Sequence, residues 1–271
     1  MVSKRLMVAV GALALGLAMS PAMASPIVAG FNSNNLPGND DGSTGLVNSG
    51  FSMNFFGNTY TGFYINNNGN ITFNTTQSTF TPYGLTGGVP QPIIAPFFGD
   101  VDTRLGNVVT YGTGTYNSMA AFGVNWPGVG YYAEHTDKLD TFQLLLVDRS
   151  DTGAGNFDIY FNYGSMQWET GDASQGHNGL GGSCAAAGYS NGSGTAGTYY
   201  ELAGSHVCGA LIDGGSNQLM SATNDNTPGQ FLFQVRNGAV INPNQVPEPA
   251  SLALLGLGLA GLGVLRRRKA E

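Results

Sequence analysis

Asp100, Asp102 and Arg104 stand at alternate positions directly after the apolar run Ile93-Ile94-Ala95-Pro96-Phe97-Phe98. Carboxylates at that spacing can hold a hard cation or neutralise a guanidinium, and the arginine beside them points to the second. On a continuous strand, side-chain alternation puts all three on one face, with Val101 and Thr103 on the other. Arg104 can then pair with either acid through its fork of donors. Two carboxylates alone do not complete the oxygen shell of a hard cation, so a structural charge cluster is expected, with no resident metal or other cofactor. Calcium is the one ion left open, because Asn39-Asp40-Asp41-Gly42-Ser43 is the densest acidic stretch. That stretch lacks the spaced acids and terminal glutamate of an EF-hand loop.

Cys184 and Cys208 are the two cysteines of the chain. In an oxidising compartment a disulfide is the default, and closing a loop of about 25 residues contributes about 3–4 kcal/mol in the chain-entropy model. His177 and His206 lie close enough in sequence to suggest a two-Cys, two-His zinc set, but the spacings resemble no finger or ribbon. Catalytic candidates are thin. Glu169 with one of the aspartates would make a glycosidase pair, yet no local motif favours it. A serine hydrolase would need His135, His177 or His206, and no Gly-x-Ser-x-Gly elbow presents a serine. The expectation is a noncatalytic protein.

The elements that must position these groups read as strands. Phe51, Met53 and Phe55 alternate within an Asn/Gly-rich stretch, residues 31–58, that otherwise reads as loop. Residues 61–65 and 70–74 flank Asn68-Gly69, a dipeptide suited to the positive φ angles of a tight hairpin. Residues 108–111 and 121–126 follow as short strands. Residues 139–147 carry Leu144-Leu145-Leu146 and imply a central strand buried on two sides. Phe157, Ile159, Phe161 and Tyr163 alternate with polar partners as a half-exposed strand. Residues 199–202 and 231–235 add two more, and residues 179–197 read as a Gly/Ser-rich surface loop tethered by Cys184. Short strands so spaced predict a mainly β, single sandwich-like antiparallel domain with long Gly/Asn-rich loops.

The two ends are different. Lys4 and Arg5 precede an apolar run over residues 6–19, and Ala22-Met23-Ala24 follows, which reads as a signal peptide over residues 1–24. The exported β domain is expected over residues 25–245. Val246-Pro247-Glu248-Pro249 then opens a segment, residues 246–271, with an uncharged run over 250–265 and a basic stop of Arg266, Arg267, Arg268 and Lys269. That run is about 24 Å long as a helix, a short transmembrane span whose basic flank stays in the cytoplasm. Six of the ten bases and two of the seventeen acids lie in these ends, which leaves four bases, fifteen acids and a formal charge of −11 between residues 25 and 247. Such a surface excludes a nucleic-acid role.

Ala95-Pro96-Phe97-Phe98-Gly99-Asp100-Val101-Asp102-Thr103-Arg104 and the following Gly106-Asn107-Val108-Val109-Thr110-Tyr111 resemble the opening of the nidogen-like extracellular domain. Further landmarks are Phe122-Gly123-Val124-Asn125-Trp126, Asp140-Thr141-Phe142-Gln143-Leu144, Gln167-Trp168 and Phe231-Leu232-Phe233, so the likeness covers about residues 94–237. The Val-Pro-Glu-Pro tetrad, short apolar helix and arginine cluster resemble the bacterial PEP-CTERM sorting signal. The two resemblances imply export by way of signal peptidase, transient anchoring in the inner membrane and processing by an exosortase, ending at the cell surface or outside. They also imply an adhesive role with matrix polysaccharide or a surface protein as partner, in an exopolysaccharide or biofilm setting. The alternative is a carbohydrate-binding or carbohydrate-cleaving module, with Tyr131, Tyr132 and Trp168 stacking on sugar faces.

Overall fold

Fourteen strands and one 3₁₀ turn, Asp172–Ser174, make up residues 25–241, the part that the computed structural model describes. The signal segment, the tetrad Val246 to Pro249, the run 250–265 and the basic residues 266–269 lie outside it. In chain order the strands are β1 (Asn34–Asn35), β2 (Val47–Phe55), β3 (Asn58–Asn66), β4 (Asn70–Thr72), β5 (Ile93–Phe98), β6 (Val101–Asp102) and β7 (Thr110–Tyr116). They continue as β8 (Met119–Tyr131), β9 (His135–Asp148), β10 (Phe157–Tyr163), β11 (Ala186–Ser190), β12 (Tyr199–Glu201), β13 (Gln230–Arg236) and β14 (Ala239–Ile241). One sheet runs β1-β7-β8-β9-β10-β13-β14, with β6 also paired to β8, and the other runs β12-β11-β5-β4-β3-β2. The pairings are antiparallel, and the fold is mainly β as the strand spacing predicts.

The core fills the space between the sheets. Phe63 of β3 meets Phe122 of β8 edge-on at 5.1 Å, and Phe97 of β5 meets Phe142 of β9 at 5.4 Å. Fully burying one such side chain contributes about 2–3 kcal/mol. Strand β9 is buried on both faces, as its leucine run predicts. Leu144 and Leu146 join the inter-sheet core, while Leu145 and Val147 pack outward with Phe31, Ala121 and Tyr160. The N-terminal segment around Val28 and Phe31 therefore covers the outer face of this sheet.

That cover corrects the expectation of a half-exposed β10, in which every residue is buried. Its Asn162 belongs to a row of amides across four strands. Gln143 donates to Asn125 (2.7 Å), Asn162 to Gln143 (2.8 Å) and Gln230 to Asn162 (2.7 Å), and Gln143 also holds the Val28 backbone in both directions (2.8 and 3.1 Å). Asp158 on the same face receives Arg149 at 2.9 Å and Arg236 at 2.6 Å. Buried polar groups that find partners in this way need not face water.

Three further readings change. Residues 179–197 are not all surface loop: within them β11 is fully buried between β12 and β5. Its Gly188 is required because a Cβ there would strike the Tyr200 carbonyl. The loop expected over 31–58 contains β1, and β2 runs from Val47 rather than Phe51. The hairpin after β3 has a three-residue turn, Asn67 to Gly69, with Asn66 opposite Asn70, and only Gly69 in it has a positive φ, +76°. A type I turn closed by a left-handed glycine fits this better than the two-residue form.

Asp140 on β9 shows the cost of burial most directly. It is inaccessible to solvent, its Oδ1 accepts the N–H groups of Gln167 (2.5 Å) and Trp168 (3.1 Å), and its Oδ2 has no partner. Burial pushes its carboxyl well above the usual range. The folded chain thus keeps a proton that the unfolded chain releases near pH 4, so stability falls as pH rises from there. Asp140→Asn keeps the Oδ1 acceptor without the titration. Melts of both proteins from about pH 5 to 9 are expected to diverge, with the variant ahead at the alkaline end; parallel curves would contradict the assignment.

Candidate functional site

The chain changes sheets at Gly99-Asp100. Strand β5 belongs to one sheet and β6 to the other, so the alternation assumed through Arg104 is broken between Phe98 and Val101. As a result Asp100 and Asp102, both buried, face different surroundings. The single charge cluster of Asp100, Asp102 and Arg104 expected from sequence is therefore two adjoining groups.

The first centres on Asp102. Arg104 Nε donates to Oδ1 at 2.9 Å and its Nη2 to Oδ2, while the Arg104 and Glu134 backbone N–H groups donate at 3.0 and 2.8 Å. Burial alone would raise this carboxyl, but the Arg104 and backbone hydrogen bonds outweigh it and hold the group below its usual range. The guanidinium also reaches Asp40 and Glu134, each at 3.6 Å, and lies over the Tyr132 ring at 5.5 Å.

The second joins Asp100 to Asp40 and Asp41, each offering one carboxylate oxygen, with these oxygens within 4.8 Å of one another. Backbone contacts bring them together. Thr103 N–H donates to the Asn39 carbonyl (2.8 Å), and the Asn67 side-chain amide donates to the carbonyls of Asp40 (2.5 Å) and Val101 (2.6 Å). The neighbouring Asn68 amide donates to Asp41 Oδ1 at 2.8 Å. Buried carboxyl oxygens remain unpartnered on Asp40 (Oδ1) and Asp100 (Oδ2), and Asn68 Oδ1 is likewise unpartnered. Burial, then the neighbouring aspartates, pushes Asp100 up to about 7 and Asp40 up to about 6. Two charges at this separation repel by about 3–4 kcal/mol at an effective dielectric of 20.

Most of the remaining candidates are accounted for by packing and pairing, while His177 is exposed and pairs with Leu180 only through its backbone. Cys184 and Cys208 form a disulfide with Cα atoms 5.3 Å apart, so they are not zinc thiolates. Glu169 sits beside them, 2% exposed, accepting the Gly209 N–H with both oxygens (2.8 and 2.7 Å), and burial raises its carboxyl. His135 pairs with Asp172 and His206 with Glu201, each at 3.1 Å. Tyr131 and Trp168 are core side chains 5.7 Å apart, which removes them as sugar platforms. Sequence reasoning missed the Asp40–Asp41–Asp100 grouping, because Asp100 lies 59 and 60 residues from the other two acids in sequence.

An antiparallel β-sandwich linked by a disulfide is a domain suited to an oxidising compartment. The comparisons are more specific: the chain belongs to the nidogen-like domain family, whose model matches residues 61–237. Residues 245–269 match the PEP-CTERM protein-sorting motif. Alpha-tectorin of Gallus gallus is 30% identical over 249 residues, 83% of this chain and 11% of the relative. Alpha-tectorin of Homo sapiens is 32% identical over 238 residues, 78% of this chain and 10% of the relative. Nidogen of Drosophila melanogaster is 29% identical over 225 residues, 73% of this chain and 15% of the relative. The chain thus spans only 10–15% of the length of these curated relatives. No solved structure matches it. A nidogen-like domain joined to this sorting motif makes the chain an exported surface protein.

Proposed function

We propose that this is a noncatalytic adhesive component of the cell surface or extracellular matrix, held by the producing cell among its exopolysaccharide. One observation carries the reading: a nidogen-like domain and a PEP-CTERM motif occur in the same chain. The chemistry of the domain supports it. Three of the four basic side chains between residues 25 and 247, Arg104, Arg149 and Arg236, pair with buried aspartates. Glu169, the glutamate a glycosidase reading would recruit, is locked on the backbone of Gly209.

In this reading, signal peptidase removes residues 1–24, the run 250–265 anchors the protein briefly in the inner membrane, and an exosortase cuts near Val246-Pro247-Glu248-Pro249. Matrix polysaccharide or another surface protein is the partner. Among the described residues no helix is long and apolar enough to cross a membrane, so anchoring would rest on the tail.

Mass spectrometry of the protein from its own cells, combined with an attachment assay on a deletion strain, tests the proposal. The expected result is a mature chain ending near the tetrad and a deletion strain that adheres less. Intact peptides through Arg266-Arg267-Arg268 from most molecules would refute the processing step. Release of oligosaccharides from the producer's polysaccharide by the purified protein would refute the noncatalytic reading.

A further inference from the structure

We propose that Asp40, Asp41 and Asp100 bind a divalent cation of the calcium type, with the Asn68 amide oxygen as a further donor. The three acids arrive from the loop before β2 and from the crossover between the sheets, and Asn68 arrives from the turn after β3. The Asn67 side-chain amide and Thr103 bind the backbone carbonyls of Asn39, Asp40 and Val101 and so hold these segments mainly through groups other than the carboxylates. The cluster is therefore fixed in place although its members repel, an arrangement suited to receiving a cation rather than collapsing around one.

Two further observations point to a ligand. Asp100 and Asn68 are each only 1% exposed, and each has an oxygen without a partner. Native structures leave few such groups unpaired. The Asn68 amide nitrogen donates to Asp41 Oδ1 (2.8 Å) and to the Thr79 carbonyl (3.3 Å), and a half-turn of the amide turns its unpartnered oxygen toward those two oxygens, an arrangement that only a cation between them favours. The nearest cation, Arg104, is committed to Asp102 and reaches only Asp40 in the cluster, at 3.6 Å. Protons shared among the acids would relieve the repulsion, as the raised Asp100 carboxyl indicates, but they leave the Asn68 oxygen unserved.

The chemistry of the donors selects the ion. The set contains carboxylate and amide oxygens, with no imidazole or thiolate, and so suits a hard cation. Calcium takes six to eight oxygens at flexible geometry, while magnesium demands a near-ideal octahedron. Asp40 and Asp41 are half-buried and leave the cluster open to solvent, so water can complete the shell. The proposal does not depend on the adhesive reading.

Thermal melts and titration calorimetry of the full chain in EDTA, calcium and magnesium test it. With a dissociation constant of about 10⁻⁴–10⁻³ M, about 10 mM calcium is expected to raise the midpoint by about 5 °C over EDTA, with magnesium giving clearly less. Asp100→Asn is expected to lose that rise and to weaken calcium binding at least tenfold. In EDTA it should melt no lower than the parent, because it carries one fewer buried charge, so a folding defect is not confused with a binding defect. Asp41→Asn, at a half-buried position, should lose the rise as well. Identical midpoints in calcium and EDTA, an equal response to magnesium, or a calcium response that survives in both variants would overturn the proposal.

Discussion

Arg104→Ala is expected to lower the thermal midpoint by about 6–12 °C, corresponding to about 3 kcal/mol in a domain of this size. Asp102 is wholly buried and ionised in the fold, and Arg104 gives it two side-chain contacts as well as a backbone N–H. Alanine retains the backbone donor and that of Glu134, which places the loss at the lower end of what breaking a buried ion pair costs. It also removes the positive charge nearest Asp40. Arg104→Lys should recover only part of the stability, because an ammonium cannot form the two-pronged contact. The double variant Arg104→Ala, Asp102→Asn should be less destabilised than the two single losses summed, since the pair is coupled. A midpoint unchanged by Arg104→Ala, measured by calorimetry, would mean that the two N–H groups suffice for Asp102.

The fold class was legible because its signals are local. Asn68-Gly69 marked a hairpin, the Leu144-Leu145-Leu146 run marked a strand covered on both sides, and Cys184 and Cys208 had only one another to pair with. The parts that were not legible depend on contacts distant in sequence. Nothing in Phe98-Gly99-Asp100 announces a change of sheet, and one break in alternation was enough to separate Asp100 from Arg104. Strand β11 escaped notice because alanine and glycine have poor strand propensity, although small residues are what its close approach to β12 requires. Polar residues on β10 read as exposed because a pattern cannot show that Gln143, Asn162 and Gln230 stand opposite one another. The family likeness, visible from about residue 94 in its landmarks, extends back to residue 61. Strand β4 and most of β3 lie in that extension, and their Asn, Thr, Tyr, Phe and Ile are common to many β proteins.

Loss of the Cys184–Cys208 disulfide should produce an effect as large as loss of Arg104. The bond closes a loop spanning 24 positions that contains β11 and β12. Opening it restores about 3–4 kcal/mol of chain entropy to the unfolded state, or about 6–16 °C in the midpoint. The folded side of the balance also changes. Glu169 accepts the N–H of Gly209, the residue after Cys208, and the His206 N–H donates to the Ala185 carbonyl at 3.0 Å. These contacts keep the strap in place without the covalent bond, so the double variant Cys184→Ser, Cys208→Ser should still fold. Its weakness should appear as local opening: protease cleavage is expected to quicken within residues 191–217 well before the β8–β9–β10 sheet yields. The parent protein in strong reductant should behave as the double variant does. Equal midpoints and equal cleavage rates for the oxidised parent and the double variant would show that Glu169 and the strap's own hydrogen bonds hold this edge of the sandwich without the disulfide.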